Sequence, residues 1–414
     1  MINYLGKSVL EAARERVNKA LDIVPHPFVS VSGGKDSTVM LHLVVEEAAK
    51  RGRRVGVLIV DLEAQYTDTV RNLEGLIDTY KDHIDLHWVC AELKLRNATS
   101  VFEPQWVCWD ETKRDQWVRP KPELAADLTQ YDFYQPGMEF EEFVPLFGEW
   151  YGGNELSCAF VGIRADESLN RYKTVAVFKK QKTLDGKGWS TQVSKTCYNV
   201  YPIYDWKASD IWKYHSLYPD KTYNKVYDKM QMAGVPIKHQ RLCQPYGDTQ
   251  RRGLWLYSVL EPQTWAKLIH RVIGANSYAL YSQETGNING EGCITKPSHL
   301  TWEQYSKVLL KSLPRKTAEH YAERIRRFMG GWSKRGYIVM PDEADKNVEN
   351  LQFAPSWRRV CRTLLRNDYW CKGLGFSQPK SEAYGRYLEL KGKLRTKAKP
   401  TRWGEKSQNK PSLD

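Results

Sequence analysis

No Cys-x-x-Cys pair occurs anywhere in this sequence. Its eight cysteines stand far apart, at 90, 108, 158, 197, 243, 293, 361 and 371. That scatter excludes the usual zinc-site and dithiol signatures, and at 414 residues a secreted disulfide framework is not expected. No stretch reaches the ~18–20 apolar residues that a membrane-crossing helix needs. A charged-then-apolar leader pattern is missing too, because Arg14, Arg16 and Lys19 interrupt the apolar residues near the N-terminus. The expectation from these absences is a cytoplasmic protein with no membrane partner. Internal repeats are also lacking.

What the chain has in excess is positive charge. The formal net charge is +13 and the pI about 9.1, which points to an anionic partner (nucleotide, nucleic acid or acidic protein) or simply to a basic solvated surface. The 15 tryptophans and 24 tyrosines suit cores, stacking platforms and interfaces alike, so their number decides nothing. A length of 414 residues allows two domains and a tail.

The most informative stretch is 28–50, FVSVSGGKDSTVMLHLVVEEAAK. A short apolar run meets Gly33 and Gly34, then Lys35, Asp36, Ser37 and Thr38, then an amphipathic helical pattern with Met40, Leu41, Val44 and Val45. Glycines allow a tight turn and close backbone approach, and a helix N-terminus offers unpaired N–H groups with partial positive charge. Strand, glycine loop and helix together therefore predict an anion cradle, with Lys35 as its point charge. The bland alternative is a glycine turn in which Asp36 or Ser37 merely caps the helix.

Residues 8–22 predict an amphipathic helix, stopped by Pro25 and Pro27, which flank His26 and lead into a strand at 28–32. VGVLIV at 55–60 reads as a strand buried on both faces and ends in Asp61; a helix over about 67–82 and a strand at 86–90 follow. This alternation predicts an α/β fold, a doubly wound parallel sheet with ligands at the carboxyl ends of its strands. Residues 102–136 break the pattern with Trp106, Trp109, Trp117, Tyr131 and Tyr134 among Lys113, Arg114, Arg119 and Lys121. They form an insertion over the ligand edge that serves either as a stacking lid or as packing. A strand at 159–163 runs into Gly162, Arg164 and Arg171, two arginines able to hold sulfate or phosphate oxygens. Ser209 is expected as a helix N-cap, and Trp206 with Trp212 as an anchor on the sheet. The division expected is a helix over 1–24, the nucleotide-binding sheet domain over 25–215, a mainly helical domain over 216–390 and a tail over 391–414. The tail holds eight Lys or Arg against Glu405 and Asp414, and disorder is expected of it. It could remain solvated or bind nucleic acid.

Four ordered motifs resemble a known family. SGGKDST at 32–38 is similar to the pyrophosphate loop (PP-loop) of the adenine nucleotide alpha-hydrolase superfamily. DLEAQYTDT at 61–69 resembles the second motif of its phosphoadenosine phosphosulfate reductase and sulfotransferase-like group, with Glu63 in place of a glycine. Gly162, Arg164, Ser168 and Arg171 match that group's Gly-x-Arg-x-x-x-Ser-x-x-Arg pattern, and Pro202, Ile203, Trp206, Asp210, Ile211 and Trp212 its Pro-Ile-x-x-Trp-x-x-x-Asp-Ile-Trp pattern. RLCQPYGDTQRRGL at 241–254 resembles a subgroup with an extra C-terminal domain of unknown function. One departure is plain: the Cys-Gly pair near the C-terminus that gives the reductases their attacking thiol is missing, and neither Cys361 nor Cys371 stands in that context.

The resemblance implies ATP or phosphoadenosine phosphosulfate as ligand, with Mg²⁺. Ser32, Gly33, Gly34, Asp36, Ser37 and Thr38 would hold phosphates, and Lys35 would neutralise the leaving pyrophosphate. Asp61 would meet the nucleotide or the metal; Arg164 and Arg171 would hold a sulfate or second phosphate beside Gly162. Attack at the α-phosphorus or at the sulfonyl group, by a transferase without a protein nucleophile, is the implied chemistry. A small ParB-like protein is an implied partner. Two other readings stay open: a nucleic-acid-modifying enzyme that activates a base or sulfur carrier, and a non-catalytic nucleotide sensor acting with a partner.

Overall fold

A computed structural model describes residues 6–153, 155–176, 183–186, 188–242, 246–248, 253–281, 286 and 293–376. The basic tail lies outside them, as do Cys243, Gln244, Arg251 and Arg252.

Helix α1 (Val9–Ile23) starts at a reciprocal cap: the Ser8 hydroxyl accepts the Glu11 N–H at 3.2 Å, and the Glu11 carboxylate accepts the Ser8 N–H at 2.8 Å. Strand β1 (His26–Ser30) follows at once, so the strand takes in His26 and Pro27 rather than beginning at 28. After α2 (Lys35–Ala49) come β2 (Val55–Val60), α3 (Thr67–Tyr80) and β3 (Ile84–Val89). The insertion then contributes one strand of a small second sheet, in which β5 (Gln105–Cys108) pairs antiparallel and β6 (Met138–Glu139) parallel with β4 (Leu93–Arg96). Helix α4 (Phe140–Gly152) leads back to β7 (Ser157–Val161), followed by α5 (Leu169–Ala176), β8 (Ser190–Gln192) and β9 (Cys197–Val200).

The main sheet has the order β3-β2-β1-β7-β9-β8, parallel throughout except for β8 at one edge. Its centre is made of residues with no reason to meet water: Val29 pairs with Val57 on one side and Phe160 on the other, and all three are buried. The predicted doubly wound sheet is therefore present. Strands added after β1 go first to one side and then to the other, so the strand order reverses between β1 and β7. In open α/β sheets the crevice at such a reversal, at the carboxyl ends of the strands, is where ligands bind.

The core of the sheet reaches beyond its strands at both ends. Helix α1 is no separate unit, because Ala13, Val17 and Leu21 belong to the sheet domain's core. Helices α6 (Ala208–Leu217), α7 (Val226–Met232), α8 (Trp255–Leu260), α9 (Pro262–Arg271) and α10 (Ala275–Tyr281) follow the last strand. Val226, Met230, Leu268 and Val272 from this stretch pack into the same core. The end of strand formation near 200 is thus not the end of the domain: helices wrap back over the sheet. A second core begins at Ile294 and joins Trp302, Tyr321, Ile325, Phe328, Val360 and Leu364. It is built by α11 (Trp302–Ser312), α12 (Arg315–Ser333) and α14 (Trp357–Leu365), with the short α13 (Lys346–Asn350) between the last two in the chain. Buried Asn367 ties the two together by donating to the carbonyls of Ala98 and Ser100 at 3.4 and 3.1 Å. Helix α6 is preceded by Lys207, not capped by Ser209; the Asp210 carboxylate accepts the Lys207 N–H at 2.7 Å.

Candidate functional site

The glycine loop lies where β1 ends and α2 begins, at the reversal of strand order. Gly33 has φ +73°, and a Cβ there would fall 2.6 Å from Thr69 Cγ2, so both backbone shape and space require glycine. Gly34 caps α2 in extended conformation without a side-chain bond, leaving the helix's first N–H groups facing the loop. Ser37 turns inward: its hydroxyl donates to the Gly34 carbonyl at 3.0 Å and accepts the Ser32 N–H at 3.2 Å. The Thr38 hydroxyl is fully buried and has no hydrogen-bond partner.

Lys35 is the unusual member. Its side chain is buried, its ammonium donates to the Gln240 carbonyl at 2.8 Å and lies 4.8 Å from the ring centre of Tyr227. Among the described residues it forms no ion pair. Burial pushes the ammonium below the ordinary lysine range, Asp36 and Glu167 oppose this, and Arg164 and Arg241 add to it. A buried cation with cationic neighbours and no carboxylate in contact is a site built for an anion.

Gly162 matters through space, since a Cβ there would sit 2.8 Å from the Asp36 carbonyl carbon. Its bareness lets the end of β7 press against the first turn of α2, which brings Arg164 to Asp36. The Arg164 Nε–Asp36 Oδ1 distance is 2.5 Å with the arginine buried. Arg171 is farther out and half-exposed, bonded to Glu167 at 3.0 Å, and Arg241 donates to the Glu167 carbonyl at 2.5 Å. The predicted arginines therefore reach the loop's neighbourhood by different routes, Arg164 held by Asp36 and Arg171 by Glu167.

Asp61 does not fit the role of metal ligand. It is fully buried; Arg119 donates to both carboxylate oxygens at 2.6 and 2.5 Å, Trp88 Nε1 adds a bond at 2.9 Å and the Glu63 N–H another at 2.9 Å. A carboxylate so fully engaged anchors the insertion instead. No cluster of three or more His, Cys, Asp or Glu side chains suited to a metal occurs among the described residues.

Glu63, the residue in place of the family's glycine, has φ +65°. The carboxylate accepts Arg271 Nε at 2.8 Å and Nη2 at 3.0 Å, the Trp109 N–H at 2.7 Å and the Val118 N–H at 3.2 Å. The insertion's aromatics are packing groups, not a lid: Trp106, Trp109, Trp117 and Tyr131 are buried, and Arg119 and Lys121 lie over the face of Trp109.

Sequence reasoning missed the residues that hold the loop from the far side. Buried Asn224 donates to the Gly33 carbonyl at 2.9 Å and to Thr69 Oγ1 at 2.8 Å, and the Tyr227 hydroxyl accepts the Lys35 N–H at 3.1 Å. No local pattern marks them; only Arg241 falls in a run already singled out.

Six of the cysteines are buried thiols. Burial pushes Cys197 up to about 11 and Cys361 and Cys371 up to about 12, and raises Cys90, Cys108 and Cys158 further. Cys293 is exposed. No described helix is long and apolar enough to cross a membrane.

Residues 26–248 match the phosphoadenosine phosphosulfate reductase domain, and residues 234–346 and 337–384 match a domain of unknown function (DUF3440). The chain is 42% identical over 404 residues to the uncharacterized protein YbdN of Escherichia coli, spanning 97% of each. It is 24% identical over 236 residues to the phosphoadenosine 5'-phosphosulfate reductase of Xylella fastidiosa, covering 56% of this chain and 81% of that one. Among solved structures, the phosphoadenylyl-sulfate reductase of Candida auris in its phosphate complex aligns over 54% of this chain and 88% of that chain. The identity there is 13% and the TM-score 0.33. With more than half of its length in the first domain match, the chain belongs to the phosphoadenosine phosphosulfate reductase family, and it carries the additional C-terminal domain of unknown function.

Proposed function

We propose that the protein binds an adenine nucleotide, ATP or an adenylyl sulfate such as phosphoadenosine phosphosulfate, with its phosphates at Ser32–Thr38. It acts there at the α-phosphate or the sulfonyl group. The observation that carries this reading is Lys35: a buried ammonium without an ion pair among the described residues, at the start of a helix and at the sheet's reversal point. An entering phosphate supplies the missing counter-charge. Arg164, fixed by Asp36, adds a second cation that needs no reorganisation when the ligand arrives. Catalysis by such a site is positioning and electrostatic stabilisation of charge on the leaving group.

The six buried thiols disfavour sulfite release through any of them; exposed Cys293 is not among the six. A thiol pushed up to about 11 or 12 is almost wholly protonated near neutrality, and the thiolate is the attacking species. Asp61 is committed to Arg119 and takes no part in holding Mg²⁺, so neutralisation of the polyphosphate by the chain itself falls to Lys35 and Arg164.

The test is pyrophosphate release from ATP, with and without sulfate or RNA, by wild type and Lys35→Ala, after circular dichroism shows that the variant is folded. The expected result is release by the wild type that falls by ~10² or more in the variant, the scale of losing one charge-stabilising group. Equal release by both proteins refutes a catalytic loop. Stimulation by RNA alone moves the substrate to nucleic acid, and nucleotide-dependent thermal stabilisation without turnover makes the protein a sensor.

A further inference from the structure

A second concentration of positive charge lies in the C-terminal half. Helix α14 and the Arg366 that follows it bring Arg359, Arg362 and Arg366, spaced three and four residues apart, to one cavity of about 370 Å³, and Lys372 joins them. Three carboxylates also line it, but two are already neutralised by arginines that do not. Glu349 is buried and accepts Arg358 Nε at 2.9 Å, and Asp248 pairs with Arg96 at 3.6 Å. Asp368 accepts the Gly373 N–H at 2.7 Å. Leaving Arg366 aside, Arg359, Arg362 and Lys372 therefore face one carboxylate, Asp368, that no arginine outside the cavity compensates.

Arg359 shows what this environment lacks. It is 3% exposed, its guanidinium donates to the backbone carbonyls of Ala354 and Gly373, and its Nε has no hydrogen-bond partner. Among the described residues no carboxylate lies within ion-pair distance of it. Arg362 donates to Asn350 Oδ1 at 3.1 Å, and its Nε is likewise without a partner. The charge of Glu349 reaches Arg359 only from beyond ion-pair distance, and a buried guanidinium without a direct counter-charge is costly unless an anion completes the site.

We infer that the cavity between α14 and Lys372 is a second ligand site, for a small molecule bearing a phosphate or sulfate group. It shares no residue with the loop at 32–38. Arginine forks match the planar, bidentate geometry of such groups better than any other side chain. The volume lies near the low end of the ~300–1,000 Å³ typical of small-molecule sites, enough for a nucleoside monophosphate. A polynucleotide suits it less, because a volume of about 370 Å³ has no room for the nucleotides that flank the first.

The test is hydrogen exchange of the full-length protein with inorganic phosphate, then with adenosine monophosphate, alongside calorimetric titration of both. Wild type, Lys35→Ala and Arg362→Ala are compared. Arg362 is chosen because it is only part-buried and its one side-chain bond is to an asparagine, so its removal spares the core. The expected result is slowed exchange in peptides covering 346–373, retained in Lys35→Ala and with dissociation constants at least tenfold weaker in Arg362→Ala. Protection confined to residues around 30–40, or unchanged affinity in Arg362→Ala, overturns the proposal. So does tighter binding at α14 of a short single-stranded oligonucleotide than of the monophosphate.

Discussion

Glu63 and Arg271 form a buried pair whose removal can be worked out partner by partner. Both side chains are at most 2% exposed, and the carboxylate also serves the N–H groups of Trp109 and Val118. Arg271→Met leaves a buried carboxylate with two backbone donors, and breaking such a pair costs about 3–5 kcal/mol. Glu63→Gly relieves a left-handed conformation worth about 1–2 kcal/mol. It also strands a buried guanidinium and two N–H groups, so its net cost is again about 3–5 kcal/mol. The double variant removes both charges and leaves the two N–H groups and a Val107 carbonyl that has lost its arginine donor, at about 2–4 kcal/mol. The two single losses together exceed the double by about 2 kcal/mol or more, a coupling in the upper part of the range for residues in contact or beyond it. Urea unfolding of the four proteins, with slopes compared as well as midpoints, measures it. Single effects that add to the double within ~0.5 kcal/mol refute the pair as a unit.

Two further outcomes follow from the same geometry. Gly162→Ala puts a methyl group 2.8 Å from the Asp36 carbonyl carbon, so the first turn of α2 must shift. The expected loss is about 1–3 kcal/mol in stability, with at least tenfold weaker nucleotide binding by calorimetry; unchanged affinity would show that β7 does not set the loop. His42 lies 2.6 Å from the Tyr80 hydroxyl and 3.0 Å from the Thr222 carbonyl, and burial holds it down at about 4 from an ordinary 6.5. The unfolded chain therefore takes up a proton below pH 6.5 that the folded one refuses until about pH 4. Stability is fully present above pH 6.5 and falls by roughly 3 kcal/mol on the way to pH 4, so His42→Gln should flatten that limb of the chemical-unfolding profile.

Local signals in the sequence carried far. The glycine loop, the two-faced strand at 55–60 and the arginine-bearing strand end were legible because each is a contiguous stretch whose periodicity or turn chemistry fixes its own shape. The site's supports were not. Asp61 meets Arg119 across 58 residues, Lys35 meets Tyr227 across 192 and Glu63 meets Arg271 across 208. A carboxylate at a strand's end reads the same whether it waits for a ligand or is locked to an arginine from an insertion. The reach of the sheet's core was hidden for a related reason. Amphipathic helices beyond 216 show an apolar face without saying whether it covers the sheet or starts a new core, and Val226 and Leu268 cover the sheet.

The phenol of Tyr227 stands at the Lys35 N–H as a placeholder. A phosphate oxygen that takes this donor exchanges with a protein hydroxyl and not with bulk water, so part of the binding energy goes into parting α7 from the loop. On the proposed nucleotide reading, occupancy of the loop and the seating of α7 would be two ends of one equilibrium, so a substitution that loosens α7 would change nucleotide affinity and the nucleotide would loosen α7 by the same factor.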